Sequence, residues 1–213
     1  MSTLIIIGAG GHGKVVADCA EQMGKYKKII FLDDGYPERT KQHIWDIIGT
    51  TKSFSQYIDS ADFIVAIGDN KLRLEILSTL INSKAQIISL IHPSAYVSPH
   101  SAIGLGVVVF AKAVVNIGSE IKNGCIINTG ATVDHDCIIE KMVHISPGAN
   151  IAGGVTIGAL SWVGIGSSII ECIKLAPNTQ IASGSTVIKS TKKNSLYSGV
   201  PAIFKKSIPS PLT

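Results

Sequence analysis

From Val97 onward every sixth residue is aliphatic without a break: Val97, Ile103, Val109, Val115, Ile121, Ile127, Val133, Ile139, Ile145, Ile151, Ile157, Val163, Ile169, Leu175, Ile181 and Val187. The residue four further along is nearly always small, as in Ser101, Ala113, Ser119, Cys125, Ala131, Cys137, Ala149, Ser161, Ser167 and Ser185. A helix repeats every 3.6 residues and a plain strand every two, so neither generates a period of six. A hexapeptide β-helix does. Three hexads close one triangular coil, the aliphatic side chain fills the interior, and the small one fits beside it near a corner. Fifteen hexads from Val97 to Thr186 predict five coils, stacked at roughly the 4.8 Å spacing of paired strands.

The residues before this run follow other periods. An apolar strand TLIII is followed by a glycine turn, a helical stretch from Lys14 to Met23 closed by Gly24, and a second apolar strand KIIFL ending at Asp33 and Asp34. That order is a βαβ unit. A further buried strand, DFIVAIG, leads into a helical pattern with Leu72, Ile76, Leu77 and Leu80 on one face, and QIISLIHP supplies a last strand. Four strands make about half of a doubly wound dinucleotide domain. The junction is expected around His92 and Pro93. This gives an α/β half-Rossmann-like domain over residues 1–92 and an all-β parallel β-helix with a C-terminal tail over residues 93–213.

Composition sharpens this picture. The chain is 46% hydrophobic but only 6% aromatic, with 21 glycines, so its apolar character comes from small aliphatics suited to thin repeated layers. The net charge of +4 arises from 19 basic and 15 acidic side chains. Most of the excess lies at Lys189, Lys192, Lys193, Lys205 and Lys206, a local patch that suits a phosphorylated small molecule better than a nucleic acid, which needs a far more basic domain. No run approaches the 18 apolar residues of a membrane span, and the opening STLIIIGAGGHG has no basic n-region or cleavage site, so a soluble, cytoplasmic protein is expected. Cys19, Cys125, Cys137 and Cys172 form neither a CxxC pair nor a dense framework and read as reduced packing residues.

Two places carry candidate chemistry. GAGGHG, Gly8 to Gly13, fits G-x-G-x-x-G between a strand and a helix, where backbone amides point at a phosphate and glycines let it approach. Asp33 and Asp34 stand at the end of the next strand, placed to bond a ribose or a base edge. There is too little chain for a second mononucleotide half, so a single nucleotide diphosphate fits better than NAD. A turn serving only strand-to-helix packing is the bland alternative. His12 either donates to a phosphate or caps the loop, and Gly68 to Asn70 repeats the geometry at another strand end.

The second place is ATVDHDCIIEKMVHI, Ala131 to Ile145. His135 is the third residue of its hexad and His144 the sixth of the next, so neither fills the inward slot. A carboxylate that fixes the imidazole tautomer is what a general base needs, and His135 has Asp134 and Asp136 on either side. In a straight strand both would point away from its face, so contact requires a bend at a prism corner, and the sequence does not choose between them. Zinc is the rival chemistry. The remaining histidine of the repeats, His100, lies two coils or roughly 10 Å from His135, too far for three histidines of one chain to share a metal, and no metal is expected.

The chain resembles the bacterial acetyltransferases that N-acetylate UDP-linked 4-amino sugars, the PglD type, with the NeuD-type sialic-acid O-acetyltransferases as close relatives. The resemblance runs from IIIGAGGHGKVV through IFLDD, FIVAIGDN and LIHPSAYVSP to INTGATVDHDCII, VHISPGANIAGGVTIG and SGVPA. It implies a homotrimer of left-handed β-helices, acetyl-CoA between neighbouring prisms, and a UDP-amino sugar held by the N-terminal domain. It further implies His135 as general base oriented by Asp136, Asn128 and His144 lining the acetyl-CoA site, and Gly153 with its amide near the thioester. Gly10, Gly11, His12, Asp33, Asp34, Gly68 and Asn70 match the nucleotide pocket, and Gly199 to Ala202 a tail motif near CoA. Glu140 and Lys141 stand where relatives often have a glycine-led turn, and ECIKLAPN departs from a segment often built on Pro and Asn. The implied activity is direct acetyl transfer to a C4 amine of the UDP-N-acetylbacillosamine type. The alternatives are O-acetylation of a sialic acid or other sugar, a non-catalytic nucleotide-sugar-binding protein and, more remotely, a nicotinamide dehydrogenase.

Overall fold

The computed structural model describes residues 3–210 and divides into two compact units, Met1–Pro93 and Ser94–Thr213. In the first unit, β1 (Thr3–Ile7), β2 (Lys28–Leu32), β5 (Asp62–Val65) and β6 (Gln86–Ile87) form a parallel sheet in the order β2-β1-β5-β6. Leu4, Ile5, Ile6 and Ile7 are all buried. An unbroken apolar run of this kind belongs to a central parallel strand covered on both faces. Two short strands unannounced by any period, β3 (Lys41–Gln42) and β4 (Trp45–Asp46), form a hairpin, and a 3-10 helix spans Thr51–Tyr57.

Helix α1 (Gly11–Gln22) starts three residues before the expected Lys14, inside the glycine turn itself. Gly13 makes this possible, because a β-carbon there would collide with the Gly8 carbonyl. Helix α2 (Asn70–Asn82) corrects the expected apolar face. Its buried residues are Asn70, Arg73, Leu77 and Leu80, while Leu72 is 44% exposed. The helix is rotated so that an arginine, not Leu72, shares the inner face with Leu77 and Leu80.

The second unit is a left-handed parallel β-helix of about six turns. Each two-residue strand pairs in parallel with one 18 residues further along, as in Val115 with Val133 and Val133 with Ile151. The three stacks run through Val97 to Val187, Ile103 to Leu175 and Val109 to Ile181. The first stack holds six strands, so the five coils expected from Val97 to Thr186 are present and Val187 begins a sixth. Beyond Val187 the period ends. Ser195–Ser198 adds in parallel to Thr179–Ile181, and Ile203–Ser207 folds back antiparallel to it.

Both columns read from the sequence lie inside. Ile121, Ile127, Val133, Ile139, Ile145 and Ile151 are at most 1% exposed, as are Ser119, Cys125, Ala131, Cys137 and Ala149. The small position also links coils: the Ser119 hydroxyl donates to the Asp134 carbonyl and accepts from the Cys137 amide at 3.0 Å. Cys125 and Cys137 thiols reach the Glu140 and Ala152 carbonyls in the same way, and burial raises the Cys137 thiol above its ordinary pKa. Cys172 differs, since it is exposed. Each turn from Gly106 to Gly184 places the fourth residue of its hexad in the left-handed region, at φ between 54 and 75°. Met142 and Cys172 take that conformation where the sequence departs from a glycine turn. No helix among the described residues is long and apolar enough to cross a membrane.

Candidate active site

His135 and Asp136 form the turn that follows the strand Thr132–Val133. Asp136 occupies the left-handed position of this turn, at φ 58°, a conformation that aspartate accepts more readily than most residues. The bend swings its carboxylate back, and Oδ2 lies 2.9 Å from His135 Nδ1. Asp134 takes another role. Its Oδ1 accepts from the His135 amide and from Asn116 Nδ2, each at 2.8 Å. One aspartate therefore holds the ring while the other holds the backbone beneath it.

The His135 side chain is 57% exposed. The bond to Asp136 and then the charge of Asp134 raise its pKa above the ordinary histidine value. The Asn116 bond and the His135 amide lower that of Asp134. The adjacent coils leave room for this pair. A β-carbon on Gly153, one coil on from His135, would lie 2.5 Å from Nε2, and one on Gly118 would collide with Asp136 Oδ1. The same face carries an open groove of about 490 Å³ lined by Val114, Asn116, Thr132, Asp134, Asn150, Ser168 and Glu171.

His144 lies on a different stack, buried, with Ile126 and Trp162 as its strand neighbours. Its Nε2 is 3.1 Å from Asn128 Nδ2, and its ring centroid is 4.2 Å from that of Trp162. Sequence reading missed Trp162, although it stands one 18-residue coil beyond His144. Within one chain Asn128 and His144 meet each other, but they belong to a different face of the prism from His135.

In the first unit a cleft of about 460 Å³ is lined by Gly8, Gly10, Gly11, His12, Asp33, Asp34, Thr51, Ala66, Ile67, Gly68, Leu72 and Ile76. Six of the seven residues expected there line it; Asn70 does not, its Oδ1 instead accepting from Arg73 at 2.6 Å. The two carboxylates already serve the chain. Asp33 accepts from the Ala9 and Gly35 amides and from Arg39, Asp34 from the amide and hydroxyl of Thr51. Burial pushes the Asp33 pKa up, but these bonds and Arg39 outweigh it and bring it below the ordinary value. Gln42 of β3 reaches over to the Ala9 and Gly10 carbonyls, a contact no local pattern announces. His12 is pushed down to about 4 by burial and by the Arg73 charge, so its ring is neutral. Among the described residues no group of three or more His, Cys, Asp or Glu side chains is arranged to hold a metal.

Residues 3–80 match the PglD N-terminal domain family. The chain is similar to the acetyltransferase domain of PglB from Neisseria gonorrhoeae FA1090, solved in complex with acetyl coenzyme A: 39% identity, TM-score 0.93, covering 95% of this chain and 98% of that one. It is also similar to PerB from Caulobacter crescentus, solved with CoA and GDP-perosamine: 32% identity, TM-score 0.91, covering 97% of this chain and 98% of that one. A UDP-N-acetylbacillosamine N-acetyltransferase of Bacillus subtilis (strain 168) is 34% identical over 114 residues. That match spans about half of each sequence, 52% of this chain and 52% of the relative.

Proposed function

The chain belongs to the PglD-type family of sugar acetyltransferases, and on that premise we propose that it transfers the acetyl group of acetyl-CoA to the C4 amine of a UDP-linked amino-dideoxy sugar of the UDP-N-acetylbacillosamine type. The observation that carries this reading is the His135 ring, tied at Nδ1 to Asp136 and presenting Nε2 over a glycine of the next coil. A tied imidazole on an exposed side chain, with its other nitrogen not hydrogen-bonded to a carboxylate, is the arrangement a general base requires. The amine attacks the thioester carbonyl, its proton passes to His135 Nε2, the C–S bond breaks, and the departing CoA sulfur takes the proton. An amine is nucleophilic enough that no acetyl-enzyme is required.

The Gly153 amide is the donor proposed for the developing oxyanion. The Ala152 and Gly154 amides on either side of it donate to the Ile169 and His135 carbonyls of the adjacent coils, and the Gly153 carbonyl accepts from the Cys172 amide. A general base contributes about 10²- to 10⁴-fold and an oxyanion donor about 10²- to 10³-fold, so the rest falls to positioning of two bound substrates. The N-terminal cleft is proposed to hold the nucleotide, with Gly10, Gly11, His12, Asp33, Asp34 and Gly68 around it. Asn128 and His144, on another face from His135, complete the acetyl-CoA site only if a second copy presents them, which supports a homotrimer with intersubunit sites.

A GDP-linked 4-amino sugar is the second reading, supported by the likeness to PerB over nearly the whole chain. CoA release measured with UDP- and GDP-linked 4-amino sugars separates the two. Turnover is expected with the UDP sugar, falling at least about a hundredfold in His135→Ala with the assembly intact. No release with either sugar sinks the activity, and near-normal turnover in the variant removes His135 from it.

A further inference from the structure

The side chain of Arg73 is a charge placed where α2 needs an apolar residue. It is 1% exposed, on the inner face with Leu77 and Leu80, and burying a guanidinium costs free energy that a methionine there would avoid. Its fork has a defined task. Nη1 donates to the Ile67 carbonyl at 2.8 Å and the Gly68 carbonyl at 2.9 Å, and Nη2 to Asn70 Oδ1.

In a planar trans peptide the carbonyl and the following N–H point to opposite sides. Pulling these two carbonyls onto the guanidinium therefore turns the Gly68 and Asp69 amides away from it. Ile67 and Gly68 line the N-terminal cleft, and a β-carbon built on Gly68 would meet nothing within 4 Å. The same openness holds for Gly10 and Gly11, which line that cleft as well.

We propose that Arg73 is a positioning residue for the diphosphate of the nucleotide sugar, holding the Ile67–Asp69 peptides so that two amides face the cleft beside the glycine turn. This rests on the reading of that cleft as the nucleotide site. Lysine cannot substitute, because a single ammonium lacks the planar fork that spans two carbonyls and an amide oxygen. The neutral state of neighbouring His12 leaves Arg73 as a fixed positive charge beside the turn.

The test is calorimetry of UDP against uridine, and GDP against guanosine, on the full chain and on its Arg73→Lys and Arg73→Met variants. The wild-type protein is expected to prefer a diphosphate to its nucleoside. Losing one amide bond to a charged diphosphate costs about tenfold or more in affinity, so both variants should bind the diphosphate at least about tenfold more weakly, with nucleoside affinity and the KM for acetyl-CoA unchanged. A wild-type protein without preference for either diphosphate sinks the cleft reading itself. Arg73→Lys that keeps the preference sinks only the role of Arg73. Should both variants fail to fold, hydrogen exchange on the wild-type segment from Ile67 to Arg73 decides: slowing by UDP or GDP but not by the nucleosides supports the proposal, and no difference overturns it.

Discussion

Gly153 offers a way to disable His135 without touching it. The backbone there is outside the left-handed region, so Gly153→Ala is conformationally acceptable and keeps the amide N–H. The new methyl would stand 2.5 Å from His135 Nε2 and 2.6 Å from Cε1. Ordinary contact begins near 3.5 Å, so the ring must retreat by about 1 Å. The Nδ1 to Asp136 bond is 2.9 Å long, and a retreat of that size takes it past the limit of a useful hydrogen bond. A misplacement of about 1 Å costs on the order of 10²-fold in rate, or about 2.7 kcal/mol. Because the His135 side chain is 57% exposed, the melting temperature should move by only about 2 °C. The assay is continuous detection of the CoA thiol for Gly153→Ala, His135→Ala and the double variant. In the absence of the imidazole the methyl has nothing to displace, so the second substitution should cost almost nothing and the cycle should show a coupling close to the whole 2.7 kcal/mol, to within about 0.5 kcal/mol. Near-wild-type turnover in Gly153→Ala, or an equal loss with and without His135, would refute the reasoning.

Other perturbations test neighbouring parts of the argument. Asp136 contributes most to the raised proton affinity of His135 and Asp134 less, and the base works only when neutral. In Asp136→Asn the acidic limb of kcat/KM should therefore shift to lower pH and the plateau fall, with a smaller shift in Asp134→Asn; a limb that stays put belongs to another group. His12 is held from 6.5 down to about 4, so its folded-state contribution is intact above pH 6.5 and lost as pH falls towards 4. The wild type should lose up to about 3 kcal/mol more than His12→Asn over that window in urea melts at successive pH values; parallel curves would contradict the burial of a neutral ring. Ser119→Ala leaves the buried Cys137 amide without its 3.0 Å acceptor, and denaturant unfolding should show a loss of about 1–3 kcal/mol.

Much of this architecture is written openly in the chain, because a solenoid enforces one residue type at one interval. Sixteen aliphatic positions from Val97 to Val187 predict the interior before any coordinate is known. The closing hairpin at Ser195–Ser207 was not foreseen, since it follows no hexad. Nor was the hairpin at Lys41–Asp46, whose two-residue strands are too short to show alternation. Leu72 was misplaced for a physical reason. Reading Leu72 with Ile76 assumes that the largest apolar residues face inward, whereas the spacing of Arg73, Leu77 and Leu80 is equally helical. Leu72 and Ile76 instead wall the cleft. The choice between Asp134 and Asp136 depended on one dihedral angle, which no residue pattern states.

The candidate site itself becomes legible only when the sequence is laid out in rows of 18. The third positions at this corner then read Ile117, His135, Gly153 and Glu171, and the fourth Gly118, Asp136, Gly154 and Cys172. Elsewhere a glycine at the fourth position meets a demand of the turn. Gly118 meets a second demand, since any side chain there would strike the Asp136 carboxylate one coil above. Gly153 occupies a third position that the turn does not require to be glycine, and its missing β-carbon is where the imidazole rests. The candidate pair is therefore created as much by two deletions in adjacent coils as by the two side chains that remain. This explains how a rigid, uniformly filled prism can present an exposed imidazole paired with a carboxylate. Its interior hydrogen-bond ladder fixes the corner, and the coils above and below give up volume so that the ring and its carboxylate fit side by side at an exposed corner.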